Sequence, residues 1–187
     1  LQVVPFAELW DNKLGTERAH SGAALGGKVL MREGISLESS PFGAQNYFVM
    51  TDRVLLYVED EDAAVFLLET ALKEASIDVN LYRVTDGEQA LAFLKKSGDY
   101  QDMPRPDLVL LDLNLPRKNG LELLSELKES QDLNSLAVVV FTSSSLPADR
   151  RKSLALGAQE YITKPASFDG FVTAVKNACS HMKNGKH

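Results

Sequence analysis

Five side chains in the sequence have types and spacing suited to one kind of chemistry. Glu59 and Asp60 directly follow the aliphatic run Arg53 to Val58 (RVLLYV). Asp112 follows Leu108 to Leu111, Thr142 follows Leu136 to Phe141, and Lys164 comes just after Gln159 to Ile162. Carboxylates brought together repel one another unless a cation neutralises them. Oxygen donors of this kind suit Mg²⁺, which keeps several waters and takes its last ligands from a phosphate. Asp112 is then a candidate nucleophile, because an aspartate can form an aspartyl-phosphate. Lys164 and Thr142 could hold the new phosphoryl oxygens. An acidic residue after a strand is more often a cap or a turn residue than a site. The case therefore rests on whether all five meet at one edge.

The elements around them say that they do. Arg53 to Val58 reads as a strand buried on both faces. Asp62 to Ala75 carries Ala64, Leu67, Leu68, Ala71 and Leu72 on one helical stripe. The alternation continues with a strand at Val79–Val84, the turn Asp86-Gly87 and a helix at Gly87–Lys96. After a polar loop ending at Pro104 and Pro106 come the strand Leu108–Leu111 and the helix Asn119–Ser130. The strand Leu136–Phe141, helix Pro147–Leu156, strand Gln159–Ile162 and helix Ser167–Met182 complete it. Strands and helices in strict alternation imply an α/β fold, a doubly wound five-stranded parallel sheet of the flavodoxin-like kind. Ligands in such sheets lie beyond the carboxyl ends of the strands, where these five residues stand.

Four phrases carry a family resemblance: Leu56 to Asp60 (LYVED), Leu110 to Pro116 (LLDLNLP), Val140 to Ser143 (VFTS) and Tyr161 to Pro165 (YITKP). In order and spacing, over about residues 52–182, they resemble the receiver domain of two-component response regulators. The loop Ser97 to Pro106 and the phrase DLNLPRKNG resemble the stand-alone regulators of phytochrome-type histidine kinases. The resemblance implies Asp112 as phosphoacceptor. It implies Mg²⁺ held by Glu59, Asp60, Asp112 and the backbone carbonyl of Asn114, the acidic pair acting directly or through water. Lys164 would pair with the acceptor and the phosphoryl group, and Thr142 would be the switch hydroxyl. Tyr161 would be the coupled aromatic, turning inward as Thr142 moves. Ser143 would keep the site accessible, and Gly120 would open its helix close beneath Asp112. A cis bond is expected before Pro165.

The implied protein is not an enzyme in its own right, beyond self-phosphotransfer and autodephosphorylation. Its expected partners are a sensor histidine kinase, which the resemblance implies to be of phytochrome type, and a downstream protein target or phosphotransfer protein. The switched face is also a candidate surface for a homodimer. Two alternatives stand beside this reading. One is a pseudo-receiver scaffold that is never phosphorylated. The other is a haloacid-dehalogenase-type phosphohydrolase, which needs a second acid two residues after its nucleophile. Here that position is Asn114, whose amide cannot exchange a proton near neutrality.

Residues 1–49 differ from the rest. They hold Gly15, Gly22, Gly26, Gly27, Gly34 and Gly43, half of the chain's 12 glycines, and no period persists among them. They read as a loosely structured N-terminal extension, disordered or not native, ahead of a receiver domain at 50–187. One explanation is that the natural product begins near Met50. The other is a genuine, loosely folded extension. Gly22 to Lys28 (GAALGGK) resembles the start of a phosphate loop, but Val29 stands where a Mg²⁺-binding hydroxyl is needed and no strand precedes it.

A net charge of −6 argues against nonspecific nucleic-acid binding. No apolar run approaches the roughly 18 residues of a membrane span. A single cysteine, Cys179, excludes a disulfide framework and reads as packing. His20, His181 and His187 read as solvated surface, and Arg150, Arg151 and Lys152 as the solvated face of a helix. The expected setting is cytoplasmic. The few residues from Lys183 to His187 are too short for a DNA-binding module, so the expected output is a protein contact or onward phosphotransfer.

Overall fold

A computed structural model describes residues 53–182. The readings made for residues 1–49, Met50, His20 and His187 fall outside the described residues. Five parallel strands, β1 (Val54–Val58), β2 (Asn80–Val84), β3 (Leu108–Leu111), β4 (Val138–Thr142) and β5 (Glu160–Thr163), form one sheet in the order β2-β1-β3-β4-β5. Five α-helices alternate with them: α1 (Asp62–Glu74), α2 (Gly87–Leu94), α3 (Gly120–Glu129), α4 (Pro147–Ala155) and α5 (Phe168–Cys179).

The inner strands β1, β3 and β4 are buried along their whole length. A strand covered on both faces needs apolar side chains in both directions, which explains their unbroken Val, Leu and Phe runs. Two cores result, one on each face. Leu55, Tyr57, Leu110 and Phe141 join Leu68 of α1 and Phe171 and Val175 of α5. Leu56, Val58, Leu111 and Val140 join Phe93 of α2 and Leu123, Leu124 and Leu127 of α3.

Helix ends are fixed by local chemistry. Asn119 caps α3, its side chain accepting from the backbone N–H of Leu121 and Glu122, while the Glu122 side chain accepts from the Asn119 N–H. This reciprocal arrangement satisfies amides that the first turn leaves without partners. Asp86 caps α2 from one side, with Glu88 and Gln89 N–H groups each 2.9 Å from Oδ1. The expected polar loop after α2 contains a short 3₁₀ turn, Gly98–Tyr100, which buries the Tyr100 ring against Phe93. Spacing alone does not reveal a turn of three residues held by one aromatic anchor.

The strand order reverses between β2-β1 and β3, so the crevice opens above the carboxyl ends of β1 and β3. Glu59 follows β1 and Asp112 follows β3, directly at that crevice.

Candidate phosphorylation site

Asp112 is nearly fully buried, and its carboxylate is held from three sides. Lys164 Nζ lies 2.6 Å from Oδ2. Thr142 Oγ1 donates to Oδ1 at 2.7 Å, and the Asn114 N–H donates to the same oxygen at 3.0 Å. Burial alone would raise the Asp112 pKa. The Lys164 hydrogen bond and charge, the Asn114 N–H and the Thr142 hydroxyl outweigh it and hold the carboxyl below its ordinary range. Lys164 shows the mirror image: burial pulls its pKa down, while Asp112 and Glu59 push it further up, so the ammonium stays charged.

The same Lys164 nitrogen lies 2.6 Å from Glu59 Oε2. Glu59 is completely buried, a placement an ionised carboxylate tolerates only with donors around it. It has three: Lys164, the Tyr57 hydroxyl at 2.8 Å to Oε2, and the Glu61 N–H at 3.1 Å to Oε1. Burial, followed by the Glu59 charge, drives the Tyr57 phenol pKa far above its usual value, so the hydroxyl remains a donor.

Each residue singled out in the sequence has a definite place. Glu59, Asp112, Thr142 and Lys164 form one contiguous hydrogen-bonded cluster. Asp60 stands exposed at the rim, next to Glu59. Asn114 is exposed, and its Nδ2 lies 3.3 Å from Ser143 Oγ. Gly120 opens α3, and a Cβ there would lie 2.4 Å from the Asp112 carbonyl oxygen, so only glycine fits. Among the described residues no three acidic, histidine or cysteine side chains converge as a metal cage. Mg²⁺ does not need one. It commonly takes one or two carboxylates and fills its other positions with waters and substrate phosphate. The donors at hand, the Asp60 and Asp112 carboxylates and the Asn114 carbonyl, are hard oxygens that fit that requirement.

Two expectations need correction, the bond before Pro165 and the solvated His181. The bond before Pro165 is trans, since no cis peptide occurs among the described residues. Trans is the lower-energy form of an X–Pro bond by about 0.5–1 kcal/mol, and Lys164 reaches both carboxylates with it. Tyr161 lies inward in this structure, its ring buried and its hydroxyl donating to the Ser144 carbonyl at 2.9 Å. His181 is half-buried, with Nε2 2.8 Å from Glu160 Oε2, in the turn that continues α5 past Cys179. The packing role expected of Cys179 agrees with its burial.

Sequence reading missed Arg83. From β2 its guanidinium donates to the Glu59 carbonyl at 2.9 Å, the Asp60 carbonyl at 2.7 Å and Asp62 Oδ1 at 2.6 Å. One side chain thus gathers the whole acidic loop. The signal was an arginine within a strand whose other inner residues, Leu81, Tyr82 and Val84, are apolar or aromatic, one residue from the strand end.

Comparison with known proteins decides the family. Residues 55–176 match the response regulator receiver domain. The chain belongs to the response regulator receiver family. Response regulator Rcp1 of Synechocystis is 45% identical over 112 residues, covering 60% of this chain and 76% of that protein. The Mn²⁺-bound crystal structure of Rcp1 superposes on this receiver with a TM-score of 0.65 at 38% identity, covering 72% of this chain and 97% of that one. The phosphorylated cyanobacterial phytochrome response regulator RcpA gives a TM-score of 0.65 at 36% identity, covering 70% and 93%. The receiver is a regulator of two-component signalling. No helix among its described residues is long and apolar enough to cross a membrane.

Proposed function

We propose that this receiver is switched by Mg²⁺-dependent phosphorylation of Asp112 by a histidine kinase. The observation that carries this reading is the Asp112 carboxylate held between Lys164 and Thr142 at the mouth of the β1–β3 crevice. A carboxylate oxygen of Asp112 attacks the phosphorus carried by the kinase histidine. The P–N bond breaks, and its electron pair returns to the imidazole. Lys164, already charged and within reach, offsets the added negative charge. The Thr142 hydroxyl can pass from Asp112 Oδ1 to a phosphoryl oxygen with little movement. Asp112 and the Asn114 carbonyl, with Asp60 and Glu59 directly or through water, are the groups that would hold Mg²⁺, which when bound neutralises phosphoryl oxygen charge. The Mn²⁺ in Rcp1 and the phosphorylated state of RcpA support both parts.

The kinase partner is assigned by likeness to the phytochrome regulators as a sensor histidine kinase of that type. The output is a protein contact or onward phosphotransfer through the surface of α4, β5 and α5, with self-phosphotransfer and autodephosphorylation as the only intrinsic chemistry. The working unit is the receiver at 50–187, in the cytoplasm, with residues 1–49 dispensable for phosphorylation.

Acetyl phosphate with Mg²⁺ tests the reading. Labelling is expected at Asp112, and Asp112→Asn should abolish it, since an amide is a far poorer nucleophile. Stoichiometric labelling of Asp112→Asn would sink the assignment.

A further inference from the structure

We infer that Tyr57 is a positioning residue of the phosphorylation site, its buried hydroxyl fixing the Glu59 carboxylate and, through it, the Lys164 ammonium. The inference rests on the reading of Asp112 as phosphoacceptor beside a Mg²⁺ site.

Alternate residues of a strand share a face, so Leu55, Tyr57 and Glu59 project to the same side of the sheet. The first two enter the core beneath α1 and α5, where an aliphatic side chain would meet every packing need. A phenol there brings a hydroxyl into an apolar layer, which is costly unless it is hydrogen-bonded. Its partner is Glu59 Oε2, at 2.8 Å.

The other donors to Glu59 explain why this bond matters. Lys164 is shared, with Asp112 Oδ2 at the same 2.6 Å. A phosphoryl group on Asp112 would compete for that ammonium. Glu59 would then be a fully buried carboxylate losing part of its neutralisation. The Glu61 N–H reaches only Oε1. Tyr57 is the one donor to Oε2 that the reaction does not call upon. It holds Glu59 in place while Lys164 changes partners, and it leaves the carboxylate aimed at the crevice. Hydrogen bonds to groups around a metal site orient them, and their loss typically weakens metal affinity by about 10–100-fold.

Tyr57→Phe removes one oxygen and keeps the ring, so the core stays filled. Mg²⁺ titrated calorimetrically into the full chain should bind about tenfold more weakly in this variant. Acetyl phosphate labelling should slow most at limiting Mg²⁺ and recover towards the parent rate at saturating Mg²⁺. Tyr82→Phe, on β2 beside Phe93, should change neither quantity. In a Glu59→Ala background, which removes the acceptor, Tyr57→Phe should have no further effect on Mg²⁺ affinity, because its route is gone. A Tyr57→Phe protein with parental Mg²⁺ affinity, whatever its thermal midpoint, overturns the inference. So does an undiminished Tyr57→Phe effect in the Glu59→Ala background. If the parent itself neither binds Mg²⁺ nor is labelled, it is the phosphoacceptor reading that fails.

Discussion

The Tyr161 hydroxyl donates to the Ser144 carbonyl at 2.9 Å, tying the end of the sheet to the loop that follows Thr142. Arg150 of α4 completes the tie. Its guanidinium donates to the Tyr161 carbonyl at 2.8 Å and lies 5.8 Å from the ring centroid. With Thr142 already bonded to Asp112, the hydroxyl and the aromatic are arranged together, the ring inside. A ligand shifts such an arrangement only through its differential affinity for two states. Beryllofluoride, a stand-in for the phosphoryl group, should therefore deepen protection where the arrangement is built. Slower amide exchange is expected along 143–156 and around Tyr161. Changes confined to the acidic pocket would refute a switch through this face.

Gly120 makes the second prediction. A Cβ there would meet the Asp112 carbonyl oxygen at 2.4 Å and Leu113 Cα at 2.8 Å. Both are backbone atoms, so no side chain can rotate away. Overpacking typically costs about 1–3 kcal/mol, occasionally more, and the strain falls on the backbone of Asp112 itself. Gly120→Ala should lower the unfolding free energy measured in urea by that amount and slow labelling of Asp112. A variant with parental stability would mean that α3 can slide away from β3 at little cost.

The parts of the site readable in the sequence are those that strand ends fix. Asp112 and Lys164 lie 52 positions apart, yet a parallel sheet places both at one edge, so counting along the chain was enough. What supports them was not readable, because it depends on lateral register. Arg83 pairs across from Tyr57 in the β1–β2 ladder, a neighbourhood that neither strand's own pattern announces. Tyr57 looked like one more apolar residue, since its function resides in a hydroxyl aimed two residues along its own strand. His181 was read as solvated surface because its partner, Glu160, lies 21 residues away on another element.

Cys179 gives a prediction in pH. Burial raises its thiol from the ordinary 9.0 to about 11, with Arg53 pulling slightly the other way. The fold thus favours the protonated thiol. A folded pKa above the unfolded one contributes stability that is complete below pH 9 and is lost as pH rises towards 11. Alkylation by iodoacetamide at pH 8 should be slow in the native protein and fast in urea, because thiolate and access are both required. Cys179→Ala should flatten the decline in stability above pH 9. Rapid alkylation of the native protein would show that α5 opens readily.

The last prediction concerns Asp86, a fully buried carboxylate paired with the more exposed Arg117. Removing one partner of a buried ion pair typically costs about 3–5 kcal/mol, because the other charge is stranded. Asp86 is not stranded so easily. Its Oδ1 accepts from the Glu88 and Gln89 N–H groups, and its Oδ2 accepts from Gln89 Nε2 at 2.9 Å. The Arg117 side chain is 56% exposed, so water can take over part of its role. Arg117 also sits at φ 61°, a conformation that favours glycine. Arg117→Gly therefore relieves the backbone while it removes the charge. Its net cost should fall to about 1 kcal/mol or less, closer to an exposed pair than to a buried one. Asp86→Ala should cost more, about 2 kcal/mol, because it removes the cap of α2 as well. Asp86→Asn should fall between them, keeping the cap acceptor and losing the charge. Chemical denaturation of the three variants checks the order. Arg117→Gly proving as damaging as Asp86→Ala would mean that the ion pair, and not the cap, holds the β3–α3 loop onto α2.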